Sequence, residues 1–343
     1  MPTAAFISFR LGRSDGVSAV AASWMRCFRT LGFEVTTVAG DGTADVLIPG
    51  LALDAHDPPP VADVAQALAG VDLVVVENLL TVPLHLGASD VVAQVLAERP
   101  AVLHHHDPPW QREHFAHITR LPAHDPAWAH VVINDLTHRQ FAERGFTSVT
   151  IHNGFDVTQP LGDRAAARRR LGAGDDEVLV LHPVRAIERK NVPAALAVAT
   201  ELRGTYWLPG AAEEGYDEVL ACLLSCAEVP VRRDPPPGSM ADAYAACDVV
   251  VFPSTWEGFG NPPVEAAVHR RPAVVGDYPV ARELRRYGFR WFGTGDTDAV
   301  RRFLRDPDAR LLDHNQTIVA RHFSEAHVVG RLDALLRSRG WLP

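Results

Sequence analysis

Cysteine is scarce, with four in 343 residues, at Cys27, Cys222, Cys226 and Cys247. None forms a Cys-x-x-Cys redox pair or a paired metal-ligand spacing. The pattern therefore excludes a disulfide scaffold and a zinc module, and the four read as reduced residues of a cytoplasmic protein. Positive charge is also short: 33 Lys and Arg against 42 Asp and Glu give a formal net charge of −9. Counterion-driven binding to a phosphate backbone needs a basic face, so nucleic acid is excluded as a partner. There is no long apolar run. Residues 4–9 are apolar, but Arg10 and Arg13 interrupt before a signal-peptide core or a membrane span could form. No Gly-x-Gly-x-x-Gly follows the first apolar segment, which disfavours a dinucleotide-dependent dehydrogenase. Fixed-period repeats and low-complexity segments are absent as well.

The hydrophobic content of 47% and charged content of 22% are those of a globular protein, and the length suits two domains of ordinary size. Apolar, strand-like segments at 4–9, 34–39, 71–76, 101–105, 130–134 and 148–152 alternate with helical stretches. After a Pro-containing linker at 156–162 the alternation resumes with strands at 178–182, 205–208, 229–232, 248–252 and 273–275. Such alternation predicts an α/β fold of two doubly wound parallel sheets, with ligand groups gathered at strand carboxyl ends and a cleft between the domains. The predicted division is 1–157, 158–322 and a terminal helix, 323–343.

The segment FPSTWEGFGNPPVEAA, residues 252–267, carries the most chemistry. It sets Glu257 and Glu265 eight positions apart across a glycine-containing turn that follows a buried strand and opens a helix. Asn261 suits the cap and Pro262 the first helical position. Gly258, Phe259, Gly260 and Asn261 would then offer backbone N–H groups at a positive helix end, a place for a phosphate. Carboxylates on either side would accept hydrogen bonds from hydroxyls. A group with phosphate in the middle and hydroxyls at both ends is a nucleotide sugar.

This segment resembles the E-x7-E signature of retaining glycosyltransferases of the GT-B fold, in particular glycosyltransferase family four. The resemblance implies a two-domain, Rossmann-like, metal-independent transferase that uses a UDP- or GDP-sugar and a hydroxyl acceptor, with the final helix crossing back onto the first domain. It implies that Glu257 contacts the donor sugar and Glu265 the nucleotide ribose. Arg185 and Lys190, in HPVRAIERKN, match the pair that neutralises the donor diphosphate, whereas Arg189 beside them reads as solvated. In HHHDPPW, His106 best matches a histidine near the sugar's reacting end, with His105 second.

By position, Gly210 and Arg232 fall where the family's backbone meets the nucleotide base. In RLGRSDGVS the first-domain glycine loop is represented by Gly16, preceded by Asp15 where a second glycine is usual, and Arg13 is placed on the acceptor side. Adjacent strand residues point to opposite faces, so His104, His105 and His106 do not converge on one metal. No metal and no cofactor is expected. Two other classes fit the same plan, a nucleotide-sugar epimerase and a non-catalytic nucleotide-sugar-binding protein. Peripheral membrane attachment is disfavoured by the acidic balance. The acceptor, the hexose and the oligomeric state stay open.

Overall fold

A computed structural model describes residues 1–13, 15–81, 84–115, 117–120 and 122–342. The chain divides into two compact units, residues 1–156 with 323–343, and residues 157–322.

The first unit is built on a seven-stranded sheet of β1 (Thr3–Leu11), β2 (Glu34–Gly42), β3 (Val46–Leu47), β4 (Leu73–Glu77), β5 (Ala101–His105), β6 (Trp128–Val132) and β7 (Ser148–Thr150). Their order is β3-β2-β1-β4-β5-β6-β7, and every pairing is parallel. A parallel sheet has both faces covered, which is why its strands read as continuous apolar runs. Alternate residues go to opposite faces. Ala5, Ile7, Val74, Val76 and Leu103 join Val92 and Leu96 of the helix Leu86–Leu96, while Ala4, Phe6, Val75 and Val102 join Trp24 and Phe28 of the helix Gly16–Thr30. The helix Glu325–Ser338 belongs to this second face through Val328, Leu332 and Leu336. Glu325 fastens its start, accepting from Ser23 Oγ at 2.8 Å and Arg26 Nε at 3.0 Å.

The second unit holds five parallel strands, β8 (Leu179–Leu181), β9 (Thr205–Trp207), β10 (Val231–Arg232), β11 (Val249–Phe252) and β12 (Ala273–Val275), in the order β10-β9-β8-β11-β12. The α/β expectation of two parallel sheets is therefore met. In each sheet the order reverses once, between β1 and β4 and between β8 and β11. Ligands of open α/β sheets bind outside the carboxyl ends of strands at such reversals. The loops that matter are those after β1, β4, β8 and β11. Strand β3 escaped the sequence pattern because it has two residues, both exposed, at the sheet edge. Among the described residues no helix is long and apolar enough to cross a membrane.

Candidate active site

In the second unit the loop after β11 is fastened to the segment that follows β8. Thr255 N donates to Arg189 O at 2.9 Å, and Asn191 Nδ2 to Pro253 O at 3.3 Å. Asn191 has φ of 55° and its side chain caps the helix Val192–Leu202, two tasks that suit asparagine among non-glycine residues. Residues Glu188–Lys190 make a single 3-10 turn that presents two consecutive cations to one carboxylate. Lys190 Nζ donates to Glu257 Oε1 at 2.6 Å and Arg189 Nη1 to Glu257 Oε2 at 2.6 Å. Arg189 also reaches Trp256 O at 3.1 Å. Glu257 is 6% exposed and Lys190 8%.

Burial alone would push the Glu257 carboxyl up, but Lys190 and then Arg189 outweigh it and hold the group below the usual carboxylate range. For Lys190 burial is the larger influence and lowers the ammonium, with Glu257 opposing. One carboxylate between two cations leaves the cluster with one net positive charge. It sits at the topological reversal of the sheet, the place where open α/β sheets bind ligands.

The remaining sequence candidates fall differently. Arg185 does not join Glu257: the bridge Ala186↔Ala212 sets it beside Glu213, with Nη1 and Oε2 2.5 Å apart. Arg189, which the sequence reading set aside as solvated, pairs with the carboxylate. Gly260, not Asn261, occupies the cap of the helix Asn261–Val268, at φ of 98°. Gly258, Phe259 and Asn261 each already have a partner. Glu265, in the second turn and half-buried, accepts from Tyr244 Oη at 2.5 Å. Burial raises its carboxyl and the tyrosine only partly offsets this. Tyr244 is itself stacked on His269, with ring centroids 4.9 Å apart.

Gly210 is required by close approach, since a Cβ there would lie 1.9 Å from Val184 O. Arg232 serves the fold: its guanidinium donates to Leu171 O at 2.5 Å and its carbonyl accepts from Leu208 N. Arg168 and Arg164 donate to carbonyls at 246 and 245–247.

Gly260 offers a direct test of the loop. A Cβ there would lie 2.1 Å from Tyr278 Oη, in a backbone region L side chains rarely adopt. Gly260→Ala is expected to cost about 1–3 kcal/mol through overpacking and backbone strain, read by urea denaturation. Tyr278→Phe in the same chain should recover part of that loss. An unchanged midpoint in the single variant would mean that the tyrosine steps aside.

In the first unit the loop after β1 is committed to local structure. Asp15 caps the helix Gly16–Thr30, accepting from Ser18 N at 3.0 Å and lying 3.3 Å from Arg10 Nε. Arg13 is paired with Asp41 at 2.6 Å, and a Cβ on Gly16 would meet nothing within 4 Å. The acceptor-side assignment of Asp15 and Arg13 thus meets side chains already partnered.

The three consecutive histidines separate as strand alternation requires. His105 turns one way, with Nδ1 2.7 Å from Thr81 Oγ1 and Nε2 2.9 Å from His130 Nδ1. His104 and His106 turn the other way onto a residue the sequence reading missed, Glu77. Its Oε2 lies 2.9 Å from His104 Nδ1 and 2.8 Å from His106 Nε2. Asn78, at φ of 59°, accepts at Oδ1 from the backbone N–H groups of His106 and Asp107, at 3.0 and 3.2 Å. The signal for both lay in VVVEN, where a carboxylate and an amide end a buried apolar run. Glu77, His104 and His106 place three possible ligand atoms within 4.8 Å of one another. Each already has a hydrogen-bond partner within the trio.

Two doubly wound parallel sheets, each reversing once, are the layout of the GT-B fold. Comparison with known proteins agrees. Residues 210–307 match the family described as Glycosyl transferases group 1. Over 81% of this chain and 83% of the relative, the sequence is 23% identical to mannosylglucosylglycerate synthase of Petrotoga mobilis. It is 35% identical to D-inositol 3-phosphate glycosyltransferase of Streptomyces avermitilis over 55% of this chain and 45% of that one. Among solved structures, Anabaena Alr3699/HepE in complex with UDP-glucose has a TM-score of 0.77 at 20% identity, covering 98% of this chain and 99% of that one. Sucrose-phosphate synthase of Thermosynechococcus elongatus has a TM-score of 0.74 at 15% identity, covering 98% and 99%. These findings support a GT-B glycosyltransferase.

Proposed function

We propose that the chain is a retaining glycosyltransferase that moves a hexosyl group from a nucleotide diphosphate sugar to a hydroxyl acceptor by front-face substitution, without a metal. The observation that carries this reading is the Lys190–Glu257–Arg189 cluster at the reversal of the five-stranded sheet. A departing nucleotide diphosphate gains negative charge as the glycosidic bond breaks, so fixed cations aimed at it stabilise the transition state more than the ground state. Lys190 has three donors and spends one on Glu257. Arg185 can join it, because its pair with Glu213 is half-exposed and such pairs are worth about 0–1 kcal/mol.

Glu257, held ionised and oriented by its two cations, accepts from donor-sugar hydroxyls. Glu265 receives the ribose at the oxygen that Tyr244 leaves available. His106 acts at the sugar's reacting end, the leaving phosphate takes the acceptor's proton, and excluding water protects the donor from hydrolysis. UDP-hexose is the first donor to try, since a protein of the same fold has been crystallised with UDP-glucose.

A thermal-shift screen over UDP, GDP, ADP, dTDP and their sugars tests this reading. A ligand that binds only the folded state adds about 2.7 kcal/mol at a hundred times its dissociation constant, so one nucleotide should raise the midpoint with concentration. Silence towards all of them at millimolar levels would overturn the donor site. Conversion of the sugar in donor-only incubations would identify an epimerase instead.

A further inference from the structure

We infer that Glu77, which the scheme above leaves unused, is a positioning residue that fixes the tautomer of His106. The inference rests on the proposed place of His106 at the reacting end of the donor sugar. Glu77 ends β4 at the point where the seven-stranded order reverses, and its cross-strand partner in β5 is His104. It is 0% exposed, as is His104, and His106 is 4% exposed. A buried carboxylate needs donors. Here two ring N–H groups, His104 Nδ1–H and His106 Nε2–H, end on the same oxygen, Oε2.

Burial raises the Glu77 carboxyl, yet the two imidazoles overcome this and take it down to about 2, so it accepts and does not donate. The rest of the environment holds the arrangement still. His104 is stacked on Trp24 with centroids 3.7 Å apart, and Asn78 grips the backbone N–H groups of His106 and Asp107.

The chemical consequence lies on the far side of the His106 ring. In the uncharged ring, a proton committed to Nε2 leaves the lone pair on Nδ1. His106 can then receive a hydrogen bond from a sugar or acceptor hydroxyl and cannot donate one. A histidine with no such partner would average its two tautomers, and a carboxylate on the other nitrogen would reverse the polarity. Glu77 therefore decides which direction the hydrogen bond runs at the reacting centre, although it does not touch substrate.

The test uses full-length protein labelled with 15N at histidine, with His106→Gln to assign the ring. Long-range 1H–15N spectra near neutral pH should show His106 as a single Nε2–H tautomer in the unsubstituted protein. In Glu77→Gln, whose side-chain amide also donates, His104 or His106 should change tautomer. UDP release from UDP-glucose should fall in kcat by about 10- to 100-fold, the range found when a group orienting a functional histidine is removed, with KM within about twofold. If Glu77→Gln does not fold, the spectrum of the unsubstituted protein still decides.

An Nδ1–H or averaging His106 ring overturns the inference, as does unchanged kcat in a folded Glu77→Gln, or a stoichiometric metal ion found by elemental analysis with the three side chains as its ligands. Absence of UDP release from every form would count against the donor reading alone, leaving the ring spectrum to judge Glu77.

Discussion

Lys190→Ala and Glu257→Ala each lower turnover on the order of 10²-fold or more, the usual effect of deleting one preorganised contact to developing charge. The two residues share a hydrogen bond of 2.6 Å in a buried setting, so each loss also exposes the other's problem. Removing Glu257 strands the buried Lys190 at a cost of about 3–5 kcal/mol, whereas Lys190→Ala leaves Glu257 held by Arg189 and costs less. Stability and turnover must therefore be read together. Lys190→Met with Glu257→Gln removes both charges of this pair and should recover part of the stability lost in Glu257→Ala, because Lys190 is no longer stranded and the part-exposed Arg189 keeps its bond to Trp256 O.

It should recover none of the activity if the cation acts on the leaving diphosphate and the carboxylate on the sugar. Arg189→Ala is expected to be milder on the donor, since Lys190 still holds Glu257, but to loosen the loop through loss of its contact with Trp256 O. Rates of UDP release and of transfer to any acceptor found would measure these effects. Near-normal turnover in both alanine variants would show that the cluster is structural.

The contrast between Arg185 and Arg189 shows where the sequence stops being informative. That a strand ends near 182 follows from its apolar run, and the strand is where the pattern puts it. Which of three cations in RAIERK meets Glu257 depends on a single 3-10 turn and on a bridge to residue 212, and neither has a local signature.

The same limit explains Glu77. Its strand is obvious, but the register that sets it opposite His104 is a long-range property of the sheet. Strand alternation did predict that the consecutive histidines part company, because the period of two is local. The one-residue error at Gly260 has a different source. Asparagine before two prolines is a good cap by type, whereas the left-handed glycine is dictated by the Tyr278 ring above it, in a segment 18 residues away. The strands buried along their length, such as β4, β8, β11 and β12, were legible because burial on both faces writes itself as an apolar run, whereas the two exposed residues of β3 carry no such mark.

Acidification should unfold this protein well before its carboxylates are protonated. Burial holds His104, His130 and His269 down to about 4 and His182 to about 3, with His105 also well below its ordinary value. A histidine whose pKa is depressed in the folded state binds its proton only after unfolding. Its stabilising contribution is complete above the unfolded pKa of about 6.5 and is lost as pH falls towards the folded value. Each such site contributes a slope of about 1.4 kcal/mol per pH unit.

The three in the first unit together give about 4 kcal/mol per unit and the two in the second about 3, against a total domain stability of about 5–15 kcal/mol. Carboxylate linkage comes later: Glu77, at about 2 when folded, loses its contribution only below its ordinary value of 4.5. Urea midpoints measured at about pH 7.5, 6 and 5 should therefore drop steeply, the first unit faster than the second, and His269→Leu should flatten the slope of the second unit by roughly one site's worth. A midpoint that stays level down to pH 5 would show that these rings gain protons in the folded state, and with it that the hydrogen-bonded histidine arrays are more open to water than their burial implies.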